Sequence, residues 1–258
     1  MTRYFKSEMR LAISGRIMAE SADYSAQGGE RMQLISGDAN LREQVVDQLR
    51  IAIVSGEMPP GAVCSVPSLA RTLGISTTPI REALLQLTSD GLLQPMRNRG
   101  FRVVDPSLDE LRGIFEVRMQ LEASAFRKLV RMGADDLGEL EAQADAIADS
   151  VETGDVPRYL AADRAFHAEL LALAGNEVLA DIVLRLRDRM RLYGIRSAHG
   201  LERQRASVPE HYRIIEVIRQ GLEDEAEALM TSHVMAWEPI FTEAIAQRNV
   251  QPPSAPIS

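Results

Sequence analysis

Residues 67–93, PSLARTLGISTTPIREALLQLTSDGLL, decide how the chain is read. Leu69, Ala70 and Leu73 recur at helical spacing, and Gly74 permits a sharp reversal after them. Pro67 suits the first helical position, where its missing N–H has no partner to lose. A second helix is expected from Ser76, a favourable cap, with Ile80, Ala83, Leu84 and Leu87 on its inner face. Pro79 falls in the first turn of that helix and breaks no internal bond there. Its outer face is left with Thr77, Thr78, Arg81 and Gln86. Short side chains and one arginine at a helix N-terminus suit the reading of a DNA major groove, because that end approaches base edges and phosphates.

A solvated helical hairpin would show the same two periodicities, so the next residues carry weight. Residues 92–96 and 101–104 read as strands on either side of the turn Arg97-Asn98-Arg99-Gly100. A small hairpin directly after a recognition helix is the arrangement of a winged helix. Arg97, Arg99 and Arg102 at its tip are placed to meet phosphates or a minor groove. Upstream, Leu41, Val45, Val46, Leu49 and Ile53 have helical period and stop at Ser55-Gly56, giving the supporting first helix.

Residues 60–104 resemble the N-terminal domain of GntR-type bacterial transcription regulators. The likeness rests on Pro60-Gly61, Leu69-Ala70, Leu73-Gly74, the run Thr78-Pro79-Ile80-Arg81-Glu82-Ala83-Leu84, Gly91-Leu92 and Asn98-Arg99-Gly100. It implies a double-stranded DNA operator as partner, contacted by Thr77, Thr78, Arg81, Arg97 and Arg99. Thr77 stands where the family usually has an arginine, and Val66 and Ser68 stand where it usually has acidic residues. The loss of that arginine removes a base or phosphate contact, which leaves either an operator unlike the family's common one or weaker DNA binding.

At 258 residues the chain is long enough for two domains, each with a core of its own. The net charge of −8 argues against nucleic acid only if it is spread evenly. It is not: residues 34–104 carry seven basic against six acidic side chains, whereas residues 105–258 carry 17 against 27. The single cysteine, Cys64, excludes an internal disulfide and fits a reducing cytoplasm, with a small core residue as its expected role. No apolar run approaches the roughly 20 residues of a membrane span, and the N-terminus lacks the apolar segment of a signal peptide. The expected organisation is a flexible extension over 1–37, a winged helix over 38–104, a helical bundle over 105–248 and a disordered tail over 249–258. The fold class is mainly α, a winged helix-turn-helix followed by an all-α antiparallel bundle.

Six helices are expected in that bundle, at 107–131, 135–152, 155–174, 176–193, 207–220 and 222–247, the fifth capped by Ser207 and the last kinked at Pro239. Winding them at about 100° per residue exposes an anomaly. Asp163 and His167 lie in one buried stripe with Leu160, Phe166 and Leu170; His211 lies with Ile214, Ile215 and Ile218; His233 lies with Leu229, Met230, Trp237 and Phe241. Three of the chain's four histidines therefore point inward. Burying that many titratable groups is costly unless they share a partner, and a divalent metal is the obvious one, with a hydrogen-bonded polar cluster as the alternative. Arg118 and Glu122 fall in the centre of another apolar stripe, formed by Leu111, Ile114, Phe115, Ala125 and Leu129. They read as a structural pair at i, i+4 or as an arginine free to grip a carboxylate. The basic run from Arg185 to Arg196 reads as a solvated helix with at most one residue turned inward.

This region resembles the FCD effector domain of the FadR subfamily, the six expected helices suggesting its VanR-like variant. The resemblance makes Asp163, His167, His211 and His233 the metal ligands and Arg118 an effector-binding residue. It implies a small organic or sugar acid as effector. A homodimer on a two-fold symmetric operator, acting as a repressor, is expected because a single recognition helix contacts too few base pairs for useful specificity. The ligand set admits zinc, nickel, manganese or iron. The rival from another class is a metal-dependent enzyme using the same four residues, with Glu169 or Glu210 as its acid or base.

Overall fold

A computed structural model describes residues 41–190 and 194–250, with side chains to residue 246. Residues 1–40 and 251–258 lie outside the described residues, and with them the expected N-terminal extension and most of the expected tail. The described chain falls into two compact units, Leu41–Arg50 with Glu57–Val104, and Ile51–Gly56 with Asp105–Val250.

Helix α1 (Leu41–Val54), which belongs to the first unit as far as Arg50, turns Val45, Val46 and Leu49 inward. Strand β1 (Val63–Cys64) leads into α2 (Val66–Leu73), capped by Ser65, whose hydroxyl accepts from the Ser68 N–H. Gly74 closes α2 in the left-handed region at φ 70°, and α3 (Thr77–Ser89) follows. Ile80, Ala83, Leu84 and Leu87 of α3 are completely buried, as their spacing required. Ser76 occupies the cap position of α3, but its side chain makes no capping hydrogen bond. Strands β2 (Leu93–Met96) and β3 (Gly100–Val103) form the wing, in antiparallel register from Leu93 opposite Val103 to Met96 opposite Gly100. The turn between them places Asn98 at φ 59°.

The third strand, β1, was not expected from sequence. It pairs antiparallel with β3, so that Cys64 faces Phe101 and the sheet order is β1-β3-β2. Gly100 is fixed by that pairing. A Cβ there would lie 2.2 Å from the Cys64 carbonyl oxygen, and its φ of +97° is unfavourable for any other residue. Cys64 is the buried residue expected, and burial pushes its thiol up to about 11.

The second unit is a bundle of seven helices among the described residues: α4 (Leu108–Met132), α5 (Gly138–Thr153), α6 (Val156–Leu173), α7 (Glu177–Arg189), α8 (Ala198–Gln220), α9 (Glu223–Met235) and α10 (Glu238–Val250). The longest, α4, packs against α6, α7, α8, α9 and α10 and so forms the axis of the bundle. Ser107, Asp155, Asn176 and Ser197 each accept a backbone N–H in the first turn of the helix they precede.

The six helices expected from sequence are corrected in two places, one boundary and one division. The expected helix 207–220 begins nine residues earlier at Ala198, so Ser207 is not a cap but a buried mid-helix residue bonded to the Gln204 carbonyl. Its early turns carry few apolar residues, which is why periodicity missed them. Gly200 admits the close approach there, since a Cβ would lie 2.0 Å from the Gly194 oxygen. The expected helix 222–247 is two helices divided at Ala236-Trp237, with Pro239 in the first turn of the second.

Candidate functional site

Helix α6 carries Asp163 and His167 one turn apart, α8 carries His211 and α9 carries His233. The bundle brings one ligand atom from each within 4.8 Å of the others. The three imidazoles are buried, and the edge of Phe166 stands against His211 at a centroid distance of 4.7 Å.

Two of the rings are held from behind by hydrogen bonds, and the Nδ1 of His167 faces a carboxylate without making one. His211 Nδ1 donates to the Ser207 carbonyl at 2.8 Å and His233 Nδ1 donates to Glu210 Oε2 at 2.7 Å. His167 Nδ1 lies 3.2 Å from Glu122 Oε2. Protons on the Nδ1 atoms leave the lone pairs on Nε2, aimed at one another. His167 Nε2 and His233 Nε2 are 3.2 Å apart; His211 Nε2 is buried with no hydrogen-bond partner and lies 3.4 Å from Asp163 Oδ1. Lone pairs facing lone pairs and a carboxylate at this range repel unless a cation lies among them. Burial together with the Arg187 charge outweighs the neighbouring carboxylates and takes His167 down to about 3, and burial likewise lowers His233. A shared proton is therefore a poor solution. The donor set of three imidazole nitrogens and one carboxylate oxygen fits a divalent metal.

The carboxylates are ionised despite burial. Arg187 beside Asp163, 2.6 Å from Oδ2, and the His211 contact hold that carboxyl well below the usual range although burial alone would raise it. Glu122 is held low in the same way, against its burial, by Arg118 and Arg187. Its Oε1 accepts from Arg118 Nε at 2.7 Å and its Oε2 lies 3.2 Å from Arg187 Nη1. For Glu210, hydrogen bonds from His233 and Arg203 overcome the effect of burial and hold it at about 2.

Arg118 thus forms the pair with Glu122 that was the structural alternative for it. Its Nη1 faces the Met190 sulfur at 2.8 Å. Two residues of the site have roles there that were not expected from sequence, Glu210 having entered only as an acid or base of the rival enzyme. Arg187 is the member of the basic run that turns inward, and Glu210 is the anchor of His233. Glu210 lies outside the apolar stripe of α8, and five arginines in twelve residues hid Arg187.

Two families match the chain, "Bacterial regulatory proteins, gntR family" over residues 41–103 and the FCD domain over 113–236. The Nta operon transcriptional regulator of Aminobacter aminovorans is 31% identical over 185 residues, covering 70% of this chain and 85% of that protein. The chain belongs to the GntR family. A probable D-xylose utilization operon transcriptional repressor of Paenarthrobacter nicotinovorans is 29% identical to this GntR protein over 76% of the chain and 86% of its own length. McbR/YncC of E. coli shares the fold with a TM-score of 0.70 at 23% identity, covering 80% of this chain and 99% of that one. The protein is a DNA-binding transcription regulator with an FCD domain, not an enzyme, and the metalloenzyme reading is withdrawn.

In this GntR regulator the residues expected to meet DNA are all exposed: Thr77, Thr78 and Arg81 in the first turns of α3, Arg97 and Arg99 in the wing turn. No acidic residue occupies the first turn of α3. Among the described residues, no helix is long and apolar enough to cross a membrane.

Proposed function

We propose that the protein is a cytoplasmic homodimeric repressor whose FCD domain binds one divalent ion and, on it, a small organic or sugar acid that releases the operator. The observation that carries this is the convergence of Asp163 Oδ1 and three imidazole Nε2 atoms, one of them a buried orphan. Zinc, nickel, manganese or iron would suit these donors. The ion would supply a positive centre to which an effector carboxylate can bind.

Charge supports an acidic effector. Asp163, Glu122 and Glu210 are matched by Arg118, Arg187 and Arg203, so the metal-free centre is already balanced. A divalent cation leaves it positive, and an anion restores the balance. Arg118 is suited to hold that anion, since the Met190 thioether facing its Nη1 is a weak acceptor that a carboxylate would outcompete.

The DNA side rests on α3 and the wing. With no acidic residue in its first turn and no side-chain cap, α3 keeps its N–H groups and positive dipole end for a phosphate. Thr77, Thr78 and Arg81 would then meet base edges while Arg97 and Arg99 reach the backbone or minor groove. A dimer supplies the second half-site that useful specificity requires. Exposed Val178 and Ile182, one turn apart on α7, offer an apolar strip for a second copy.

The test is recovery and sequencing of genomic fragments bound by the purified, metal-loaded protein. A short palindrome upstream of a catabolic or transport operon is expected, with release by an acid of that pathway. Absence of any enriched sequence, with or without added metal, would overturn the proposal.

A further inference from the structure

One ligand of the metal centre is tied to the break between the last two helices. Glu210, whose Oε2 accepts from His233 Nδ1, is itself gripped by both terminal nitrogens of Arg203, Nη1 to Oε1 at 2.7 Å and Nη2 to Oε2. Arg203 is 8% exposed, and its Nε has no hydrogen-bond partner among the described residues, so Glu210 is its principal anchor. Its guanidinium lies over the indole of Trp237, with Cζ 5.7 Å from the ring centroid. Trp237 is the junction residue. It follows the cap of α9, its carbonyl accepts the Phe241 N–H, and its ring stacks on Phe241 at 5.3 Å and tilts against Tyr159 at 6.4 Å.

We propose that Arg203 and Glu210 are a positioning pair that aims His233 at the metal and transmits occupancy of the centre to Trp237 and the α9–α10 junction. The proposal rests on the metal reading above. A carboxylate behind an imidazole fixes its tautomer and raises the basicity of the far nitrogen. A bidentate arginine in turn fixes the plane of the carboxylate. With an ion held on the far nitrogen of His233, the Nδ1–H bond to Glu210 would tighten. Glu210 then holds Arg203 less strongly, and the cation over the indole shifts. Because Trp237 is the chain's single tryptophan, its emission isolates this step.

The experiment uses the full chain stripped of metal and titrated with zinc, reading affinity by competition with a chromogenic chelator and emission at Trp237. In the wild type the emission changes in step with zinc occupancy. Glu210→Gln lowers zinc affinity by about 10- to 100-fold. Arg203→Met keeps most of the affinity and loses the emission change. Melting of each metal-free variant checks its fold; if Arg203→Met does not fold, Arg203→Lys takes its place, keeping the charge and losing the fork. A purely structural role for the pair would lower those melting temperatures while leaving emission coupled to zinc. Wild-type affinity in Glu210→Gln, or a flat wild-type emission at full zinc occupancy, overturns the inference. Failure of the wild type to take up zinc overturns the metal reading itself. Zinc uptake by the wild type and its loss in His211→Ala keep that reading intact when only the inference fails.

Discussion

The two units are both assembled from amphipathic helices around a core, but they place their polar residues oppositely. In the winged unit Leu49, Leu73, Ile80, Leu84 and Leu87 fill the centre, and Thr77, Thr78, Arg81, Arg97 and Arg99 face solvent. In the bundle Phe115, Phe126, Phe166 and Phe241 fill much of the centre, but Arg118, Glu122, His167, Arg203, His211 and His233 are buried among them. An apolar core needs only volume and spacing. A polar core needs every group to have a partner, because an unpaired buried charge is worth several kcal/mol of destabilisation, on the order of 3–5. The bundle meets that demand with carboxylate–arginine contacts for its charges, leaving the imidazole nitrogens facing the centre. Its polar residues are consequently interdependent, whereas in the winged unit the buried Arg50, paired with Asp47 and Asp90, stands apart from the five residues that face solvent.

Substitutions should expose this contrast. The largest effect is expected for His211→Ala, which removes one of four ligands and should cost more than about 100-fold in zinc affinity, measured by chelator competition. Retention of full affinity would mean that the four residues are only a hydrogen-bonded cluster. Next comes Leu84→Ala in the winged unit, where the completely buried side chain should cost about 2–5 kcal/mol of stability on denaturant unfolding. Zinc affinity should not change, and a fall would show that the two units are not separable in this sense. Arg81→Ala should weaken operator binding by about 1–3 kcal/mol at fixed salt, with folding and zinc uptake intact. An unaltered operator affinity would remove Arg81 from the recognition surface. The smallest effect concerns Cys64. With its thiol at about 11, only about one molecule in a thousand is thiolate at pH 8, so the folded protein should resist alkylation. The unfolded chain loses the same proton near pH 8.5, so rising pH above that value favours unfolding through this group. Rapid labelling of the native protein at pH 8 would contradict the burial of β1 against β3.

The contrast also explains which parts of the molecule could be read in the sequence. The helix-turn-helix was legible because Leu69, Leu73, Ile80, Leu84 and Leu87 repeat at a single period and Gly74 has one conformational use. The four residues proposed as metal ligands stood out for the opposite reason, as polar residues interrupting apolar stripes. What surrounds them was not. Arg187 differs from Arg185 and Arg189 only in the tertiary partners it finds, Asp163 and Glu122. Glu210 sits off the apolar stripe, and only the approach of α9 gives it a histidine to hold. Strand β1 is two residues long and has no period at all; β3 creates it by pairing. The division at Trp237 was masked because apolar residues continue on both sides of it, Met230 and Val234 before, Phe241 and Ile245 after.

The measurement that bears most directly on the account is zinc-edge X-ray absorption of the zinc-loaded protein, with His211→Ala beside it. The account predicts a shell of nitrogen and oxygen donors at about 2.0–2.2 Å with the multiple-scattering signature of three imidazoles and no sulfur. In His211→Ala the imidazole contribution should fall. A spectrum with a sulfur donor, or one of an ion surrounded by water alone, would contradict the centre assigned to Asp163, His167, His211 and His233.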